Sequence, residues 1–290
     1  MSGPALTGSP GAAPAWYGGQ VSAGTRCLLA PNAGPMTLDG TNTWLLSRPG
    51  SGSVVIDPGP DHEGHLRAVL QTALDVDAPV LQVLLTHGHA DHSEGAATLR
   101  ELAGGVPVRA LDPAHRLGGQ GLADGDVVEL DEMVLQVVGT PGHTSDSLSF
   151  LLSESGAAPA LLTGDTVLGR GSTVVAHPDG RLGPYLDSLA RLLHLVESAQ
   201  VTADGGGHRH VRVLPGHGPV LEDAAAALRA YTTHRGQRLE QVRTAVAAGC
   251  STPAEVVARV YADVDRLLWP AAALSVLAQL EHLRNETVRG

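Results

Sequence analysis

The residues with the clearest capacity for chemistry lie in one short segment, Thr86-His87-Gly88-His89-Ala90-Asp91-His92. It follows the apolar run VLQVLL, which predicts a buried strand, and it precedes a helical pattern. Burying several imidazoles and a carboxylate without partners is costly, because desolvated polar groups must be paired. A divalent cation would pair them all. His87 and His89 can hold one ion, while Asp91 and His92 are offset enough to reach a second.

Three further candidate ligands occur later in the chain, each beside a glycine. His143 lies in GTPGHTSDS, Asp165 in LLTGDT and His217 in LPGHGP. Glycine lets the backbone turn sharply and present a neighbouring side chain inward. A donor set of imidazoles and carboxylates without thiolate suits zinc, with manganese or iron as alternatives. We therefore predict two adjacent divalent metal ions, expected to be zinc, held by His87, His89, Asp91, His92, His143, Asp165 and His217.

Short apolar runs that predict strands alternate with helical patterns up to about residue 220, with helices expected near Asp61, Ser93 and Pro184. This alternation, with a hairpin between Leu130 and Val134, predicts a layered α/β fold with mixed sheets. The candidate strands are Cys27–Ala30, Thr43–Leu46, Val54–Asp57, Val80–Thr86, Val127–Leu130, Val134–Val138, Leu148–Leu152, Ala160–Thr163 and Val211–Leu214.

We divide the chain into a flexible N-terminal tail (1–20), a metal-binding domain (21–221) and a small helical domain (222–290). The tail is Gly, Pro, Ala and Ser without periodicity. Within the helical domain, Thr252-Pro253-Ala254-Glu255 fits a helix start with a capping box. Pro270 is expected to open the last helix. Four leucines are predicted to form its packing face: Leu274, Leu277, Leu280 and Leu283.

Charge and composition restrict the partners. The net charge is −11, all 19 basic residues are arginine, and residues 1–221 hold 22 acidic residues against 11 arginines. Such a surface is poor for non-specific nucleic-acid binding, which depends on Lys and Arg neutralising phosphates. No apolar stretch resembles a membrane span and no leader pattern opens the sequence, so we expect a cytoplasmic protein without a membrane partner. We expect the helical domain to act as a lid or as a homodimer contact rather than to bind DNA.

Taken in order, the pattern HxHxDH…H…D…H resembles the metallo-β-lactamase superfamily, from about residue 25 to 221. The resemblance implies a four-layer αββα fold. It also implies that Asp165 bridges the two metals. By the family's arrangement one metal is bound by His87, His89 and His143, and the other by Asp91, His92 and His217.

Two further residues have open interpretations. Asp57 ends the strand VVIDPG at a position where the family has a residue that orients the metal loop through hydrogen bonds, although an ordinary turn aspartate is an equal alternative. His177, in STVVAHPDG, could border the cleft and contact substrate or transfer a proton. The alternative is a loop histidine.

The resemblance implies hydrolysis by a metal-bound hydroxide, because two close metals acidify a bridging water and polarise the scissile group. Asp91 is expected to act as general base as well as ligand. A GxSxG motif is absent, so no serine nucleophile is indicated. Asp165 stands where β-lactam-hydrolysing members commonly have cysteine. The chain is therefore more similar to the glyoxalase II and RNase Z branches, and β-lactam hydrolysis is not expected.

The stretches THGHADHSEG, TPGHTSDSLSFLL and AYTTHRGQRLEQV resemble the lactamase-β-2-like subfamily, and the likeness continues into the helical domain. It implies a C-terminal winged-helix-like domain. Only Arg284–Gly290 follow the last predicted helical pattern, so we expect a truncated version without the wing hairpin. In this subfamily one characterised member is an endoribonuclease on single-stranded RNA, and fungal members release polyketides as thioesterases.

Three functions follow from these observations. The leading expectation is an endoribonuclease-type phosphodiesterase acting on single-stranded RNA. The alternative is a thioester, ester or lactone hydrolase of a small acyl substrate, favoured by the low basic charge. A third is a non-enzymatic metal-binding scaffold that docks partners. Arginines beside the metals would favour a phosphate substrate, whereas a narrow apolar cleft would favour an acyl group; the candidate arginines are Arg48, Arg170, Arg181 and Arg235.

Overall fold

Two mixed β-sheets form the centre of the molecule in a computed structural model, which describes residues 15–199, 201–202 and 208–289. The first sheet has the order β1-β2-β3-β4-β5-β6: β1 (Gly19–Gln20), β2 (Thr25–Leu29), β3 (Asn42–Arg48), β4 (Gly52–Ile56), β5 (Val80–Leu84) and β6 (Val108–Arg109). The second has the order β13-β10-β9-β8-β7: β7 (Val127–Leu130), β8 (Met133–Gly139), β9 (Leu148–Glu154), β10 (Ala160–Gly164) and β13 (Arg212–Pro215). A small hairpin pairs β11 (Val201–Thr202) with β12 (His208–Arg209).

The described part of the chain forms seven α-helices. They are α1 (Glu63–Asp75), α2 (Ala90–Ser93), α3 (Ala96–Leu102), α4 (Leu182–Ala199), α5 (Ala224–Ala247), α6 (Pro253–Val260) and α7 (Trp269–Arg289). Side chains of α1 and α3 share an apolar cluster with the first sheet, and those of α4 and α5 share one with the second. The four layers are therefore α, β, β, α, which confirms the fold class expected from the sequence.

The core between the sheets explains why the strands read as apolar runs. Trp44, Ile56 and Phe150 from facing strands are all 2% exposed or less. Every residue of β4 is buried, because one face lies against the second sheet and the other against α1. A strand that is buried on both faces needs a continuous run of apolar residues. In β4 this run ends at Ile56, and the next residue is Asp57.

Strand direction brings the candidate ligands to one edge. The pairs β4–β5 and β10–β13 are parallel, so their carboxyl ends point to the same side of each sheet. The loop after β5 carries His87, the loop after β10 carries Asp165, and the loop after β13 carries His217. His143 lies in the turn that joins β8 to β9.

The predicted tail of residues 1–20 extends too far. Residues 1–14 lie outside the described residues, but β1 pairs antiparallel with β2. Trp16 packs against the core between the sheets, and its Nε1 donates to Asn42 Oδ1 at 2.8 Å. The packing of the Trp16 ring and its hydrogen bond to the buried Asn42 therefore hold this segment in place, although its sequence has no periodic pattern.

The helical C-terminal part contains the expected capping box, in which Thr252 accepts from the Glu255 backbone and Glu255 accepts from that of Thr252. The packing face predicted for α7 is only half right: Leu280 and Leu283 pack against the apolar cluster of the C-terminal helices, whereas Leu274 and Leu277 point outward. Leu274 and Leu277 are 41% and 36% exposed. The buried face instead carries smaller residues that let α7 approach its neighbouring helices: Ala272, Ser275, Val276, Ala278 and Gln279. The described residues from Trp269 onward all belong to α7. No strand of a wing hairpin follows this helix among them.

No helix in the described part of the chain has the length and hydrophobicity needed to cross a membrane.

Truncating Val276 will destabilise the protein more than truncating Leu277, although leucine is larger. Val276 is fully buried beside Val242 and Val256, so Val276→Ala removes packed methyl groups and should cost about 2 kcal/mol. Leu277→Ala should cost below about 1 kcal/mol. Urea unfolding of both variants measures the difference, and equal or reversed costs would restore the leucine face as the packing face.

Candidate metal centre

The Asp57 carboxylate organises the loop that carries four of the candidate ligands. Asp57 follows β4 directly and adopts φ +53°, a left-handed conformation that non-glycine residues rarely take. Its Oδ1 accepts from the Thr86 backbone N–H at 2.8 Å, and its Oδ2 accepts from Thr86 Oγ1 at 2.6 Å. Oδ2 also lies 2.9 Å from His92 Nδ1. The carboxylate thereby orients both ends of the loop.

Each buried ligand histidine has a protein acceptor behind it. His143 Nδ1 lies 2.7 Å from the Val174 carbonyl, and His217 Nδ1 lies 3.1 Å from the Gly40 carbonyl. A carbonyl only accepts, so these Nδ1 atoms carry the proton. His92 Nδ1 donates to Asp57 in the same way, and His87 Nδ1 faces Thr86 Oγ1 at 3.0 Å. When these four rings are neutral, the lone pair of each Nε2 is therefore directed into the cluster.

The inward nitrogens meet at distances that require a shared cation. His89 Nδ1 lies 3.1 Å from both His87 Nε2 and His143 Nε2. On the other side, His217 Nε2 lies 3.2 Å from His92 Nε2 and 3.2 Å from Asp91 Oδ2. Lone pairs that face one another repel unless a proton or a metal lies between them. The two groups are the two predicted triads of metal ligands.

Asp165 lies between the two triads. Its Oδ1 is 3.4 Å from both His92 Nε2 and His217 Nε2, whereas its Oδ2 is 3.6 Å from His143 Nε2. Asp165 Oδ1 is also buried and has no hydrogen-bond partner among the described residues. An unpaired buried carboxylate oxygen is costly unless it meets a cation.

These observations show that the cluster fits divalent metal ions. The structure brings together all seven residues expected from the sequence. Their ligand atoms lie within 4.8 Å of one another in each triad and also in a third group that links the triads, formed by His87, His92 and Asp165. The two imidazole-rich triads would each hold one ion and Asp165 would reach both. Divalent ions such as zinc accept this donor set.

The charges of the cluster shift its pKa values in opposite directions. Burial lowers the pKa of His217, but Asp165 and Asp91 outweigh burial and raise the pKa of His217 to about 9. Burial together with the neighbouring histidines holds the pKa of His87 well below its usual value. Burial would raise the pKa of Asp165, yet His217 and His92 hold it well below its ordinary range. The carboxylates are thus ionised and hold positive charge beside them.

Gly216 shows how closely the cluster is packed. A Cβ at this position would lie 2.6 Å from Asp165 Oδ1 and 2.7 Å from His92 Cε1. Only glycine leaves these two ligands in place, which explains the glycine before His217 in LPGHGP.

A cavity of about 540 Å³ opens beside His143 and Asp165, between the metal-binding domain and the C-terminal helices. One wall is formed by Pro35, Met36 and Leu38. The other walls are mainly apolar, and they include Leu168, Val174, Val264, Leu268, Ala271 and Ala272.

Sequence reasoning missed the residues that α5 contributes to this cavity, namely His234, Arg235 and Arg238. The signal was present in AYTTHRGQRLEQV as polar residues at i, i+3, i+4 and i+7. His177 does not line the cavity. Its Nε2 lies 3.5 Å from Glu281 Oε2 of α7, and its side chain is about one-third exposed.

Comparisons with known proteins agree with this fold. Residues 36–203 match the metallo-beta-lactamase superfamily model, and residues 252–288 match the beta-lactamase associated winged helix domain. The chain therefore belongs to the metallo-β-lactamase superfamily, whose members are mostly hydrolases, and to its lactamase-β-2-like subfamily.

Several relatives are similar along most of the chain. The lactamase-like protein aptB of Emericella nidulans is 34% identical over 74% of this chain, which spans 63% of that protein's length. The beta-lactamase-like protein 2 homolog of Drosophila melanogaster is 30% identical over 89% of this chain and 87% of its own. An atrochrysone carboxyl ACP thioesterase of Passalora fulva is 28% identical over 81% of this chain and 67% of its own.

Among solved structures, a beta-lactamase domain protein from Burkholderia ambifaria superposes with a TM-score of 0.73, at 24% identity over 93% of this chain and 88% of its own. This similarity concerns the fold alone.

We expect Asp57→Asn to weaken metal binding without unfolding the protein. The asparagine amide keeps an oxygen that accepts from Thr86, but it lacks the negative charge that orients His92. Substitution of a residue that hydrogen-bonds to a metal ligand typically lowers metal affinity by about 10–100-fold. Competition with a coloured chelator measures the zinc Kd. Asp61→Asn, an exposed aspartate in the next turn, serves as control. Equal zinc affinity in Asp57→Asn and wild type would contradict this role.

Metal binding is expected to strengthen as pH rises. Since the pKa of His217 is raised above 6.5 to about 9, the metal-free protein holds a proton there at pH 7 that zinc must displace. Affinity should therefore increase by about tenfold per pH unit below pH 9 for each displaced proton. Calorimetry in two buffers of different ionisation enthalpy detects the released proton. Affinity that stays constant between pH 6 and 8 would exclude this displacement.

Proposed function

We propose that this protein is a metal-dependent hydrolase of small acyl thioesters or esters. The observation that carries the proposal is the cavity beside His143 and Asp165, whose walls are mainly apolar and which is bounded by the C-terminal helices. Ligand sites of this kind, with apolar walls and a few placed polar groups, suit small molecules. An acyl chain fits such walls, whereas a nucleic acid needs a basic track for its backbone.

The arginines near the centre do not form such a track. Arg48 lies 3.5 Å from Glu132, and Arg181 lies 3.6 Å from Glu281. Neither lines the cavity. Arg170 does line it, but its guanidinium donates to the Asp39 carboxylate. Because Arg48, Arg170 and Arg181 are each paired with a carboxylate, most of their electrostatic attraction for a phosphate chain is cancelled. Of the four arginines considered from the sequence, only Arg235 remains.

The similarity to the Passalora fulva protein, which is named as an acyl-carrier-protein thioesterase, supports the acyl proposal. Asp165 in place of a cysteine is typical of the glyoxalase II and RNase Z branches, so it separates the chain from β-lactam-hydrolysing members and is compatible with either candidate substrate.

Metal ions, when bound by the two triads, would acidify water and polarise a carbonyl oxygen. The chain's own residues would place the substrate and move protons. Asp91 is ionised and its side chain is 32% exposed, so it can accept the proton of the attacking water. The water oxygen bonds to the acyl carbon, the carbon–sulfur bond breaks, and the thiolate leaving group takes up a proton.

The direct test is hydrolysis of a panel of N-acetylcysteamine thioesters, with acetyl, butyryl, hexanoyl and benzoyl groups, followed by a thiol reagent. We expect turnover that chelation abolishes and zinc restores. The double variant Asp91→Ala/His92→Ala should lose at least about a thousandfold, because it removes two ligands and the base. Zinc-loaded protein that turns over none of these thioesters would refute the proposal.

Phosphodiester cleavage in single-stranded RNA is the second candidate, because the chain belongs to the lactamase-β-2-like subfamily, in which one characterised member is an endoribonuclease. It is tested with labelled unstructured RNA and the same double variant as control. RNA cleavage by the wild type alone, without thioester turnover, would make this the better assignment. A protein that holds about two zinc ions per chain and catalyses neither reaction would instead favour the scaffold function.

A further inference from the structure

One face of α5 is not explained by metal binding. Tyr231, His234, Arg235 and Arg238 occupy positions i, i+3, i+4 and i+7, which lie on one side of a helix. The last three of them line the cavity. Tyr231 is buried, and its hydroxyl accepts from the Leu168 backbone N–H at 2.9 Å, which joins α5 to the segment after β10. This face therefore belongs to the wall of the cavity that adjoins Asp165.

Arg235 is the unusual member of the face. Its side chain is only 4% exposed, and its guanidinium carbon lies 5.0 Å from the centre of the Tyr185 ring. Its Nη2 donates to the Thr173 carbonyl, which is uncharged. Among the described residues no carboxylate forms an ion pair with this guanidinium, and its buried Nε has no hydrogen-bond partner. A buried charge without a counter-ion is strongly unfavourable, so its presence calls for an anionic ligand.

The other arginines of the cavity differ in this respect. Arg238 lies 3.6 Å from Asp263, and Arg170 donates to Asp39. His234 contributes no charge at neutral pH, because burial and the charges of Arg235 and Arg238 lower the pKa of His234 to about 4. The uncompensated positive charge on this wall is therefore that of Arg235.

Arg235 is also close to the metal centre through a short chain of contacts. The Thr173 residue that accepts from Arg235 donates its own hydroxyl to the backbone carbonyl of Asp165. Thr173 therefore contacts both Arg235 and Asp165, and both of these residues line the same cavity. A carboxylate is planar with two oxygens and matches the edge of a guanidinium.

We propose that Arg235 is a specificity-determining residue that binds a carboxylate carried by the acyl group, so that the preferred substrates are thioesters or esters of short dicarboxylic acids. This inference rests on the proposed acyl hydrolysis. The cavity would hold the methylene chain against its apolar walls, with the scissile carbonyl at the metals and the far carboxylate at Arg235.

Binding tests the proposal without catalysis. Glutarate and pentanoate have equal chain length and each offers one carboxylate to the metals, but only glutarate offers a second. By calorimetry, zinc-loaded wild type should bind glutarate at least about tenfold more tightly than pentanoate. Arg235→Gln, which can still donate to Thr173, should remove this preference, Arg235→Lys should restore part of it, and Arg238→Gln should keep it. Zinc content and melting temperature of each variant show whether the centre is intact.

Turnover gives the second readout. Wild type should prefer glutaryl over pentanoyl N-acetylcysteamine thioester by at least about tenfold in kcat/KM, and Arg235→Gln should bring this ratio close to one. Equal binding of glutarate and pentanoate by wild type, or a preference that survives in Arg235→Gln, would overturn the inference. So would a short oligoribonucleotide that displaces glutarate from wild type but binds Arg235→Gln weakly, because the anion would then be a phosphodiester.

The two proposals fail separately. If neither thioester is hydrolysed but glutarate binding depends on Arg235, acyl hydrolysis fails while the carboxylate site stands. If both thioesters are hydrolysed at equal rates, hydrolysis stands and the carboxylate site is refuted.

Discussion

The functional edge of this protein depends on the interactions of one carboxylate, Asp57. It ends a strand that is buried on both faces, adopts a left-handed backbone conformation, and accepts from the Thr86 backbone, the Thr86 hydroxyl and His92. Such a conformation costs on the order of 1 kcal/mol or more and persists where the surroundings hold it in place. The cost is offset because the turn directs the loop of four ligands toward the second sheet.

The same logic operates around the remaining histidines. A backbone carbonyl behind His143 and another behind His217 determine which ring nitrogen carries hydrogen, and so which nitrogen faces inward. The inward nitrogens and Asp165 then form a cluster that is stable only around positive charge. Metal affinity at such a site would therefore depend on these outer acceptors as well as on the ligands themselves.

Much of this arrangement could be predicted from the sequence because its signals are local. Apolar runs identified the strands, glycines next to His143, Asp165 and His217 identified the turns, and Thr252 with Glu255 identified a helix start. The failures share another cause. Trp16 is ordered by an acceptor 26 residues away, and α7 buries small residues because its neighbours come close. The role of Arg235 depends on Thr173 and Tyr185, which no spacing in the sequence connects to it.

The placement of α5 has a consequence for how this protein could diversify. The helix packs on the second sheet through Leu228 and Tyr231 while its neighbouring side chains line the cavity. The reacting groups come from strand ends, and the recognition groups come from a helix that begins after the last ligand. Point changes on one helical face can therefore alter which molecules are accepted while the reaction is inherited intact. A lineage built this way can acquire new substrates without passing through an inactive ancestor.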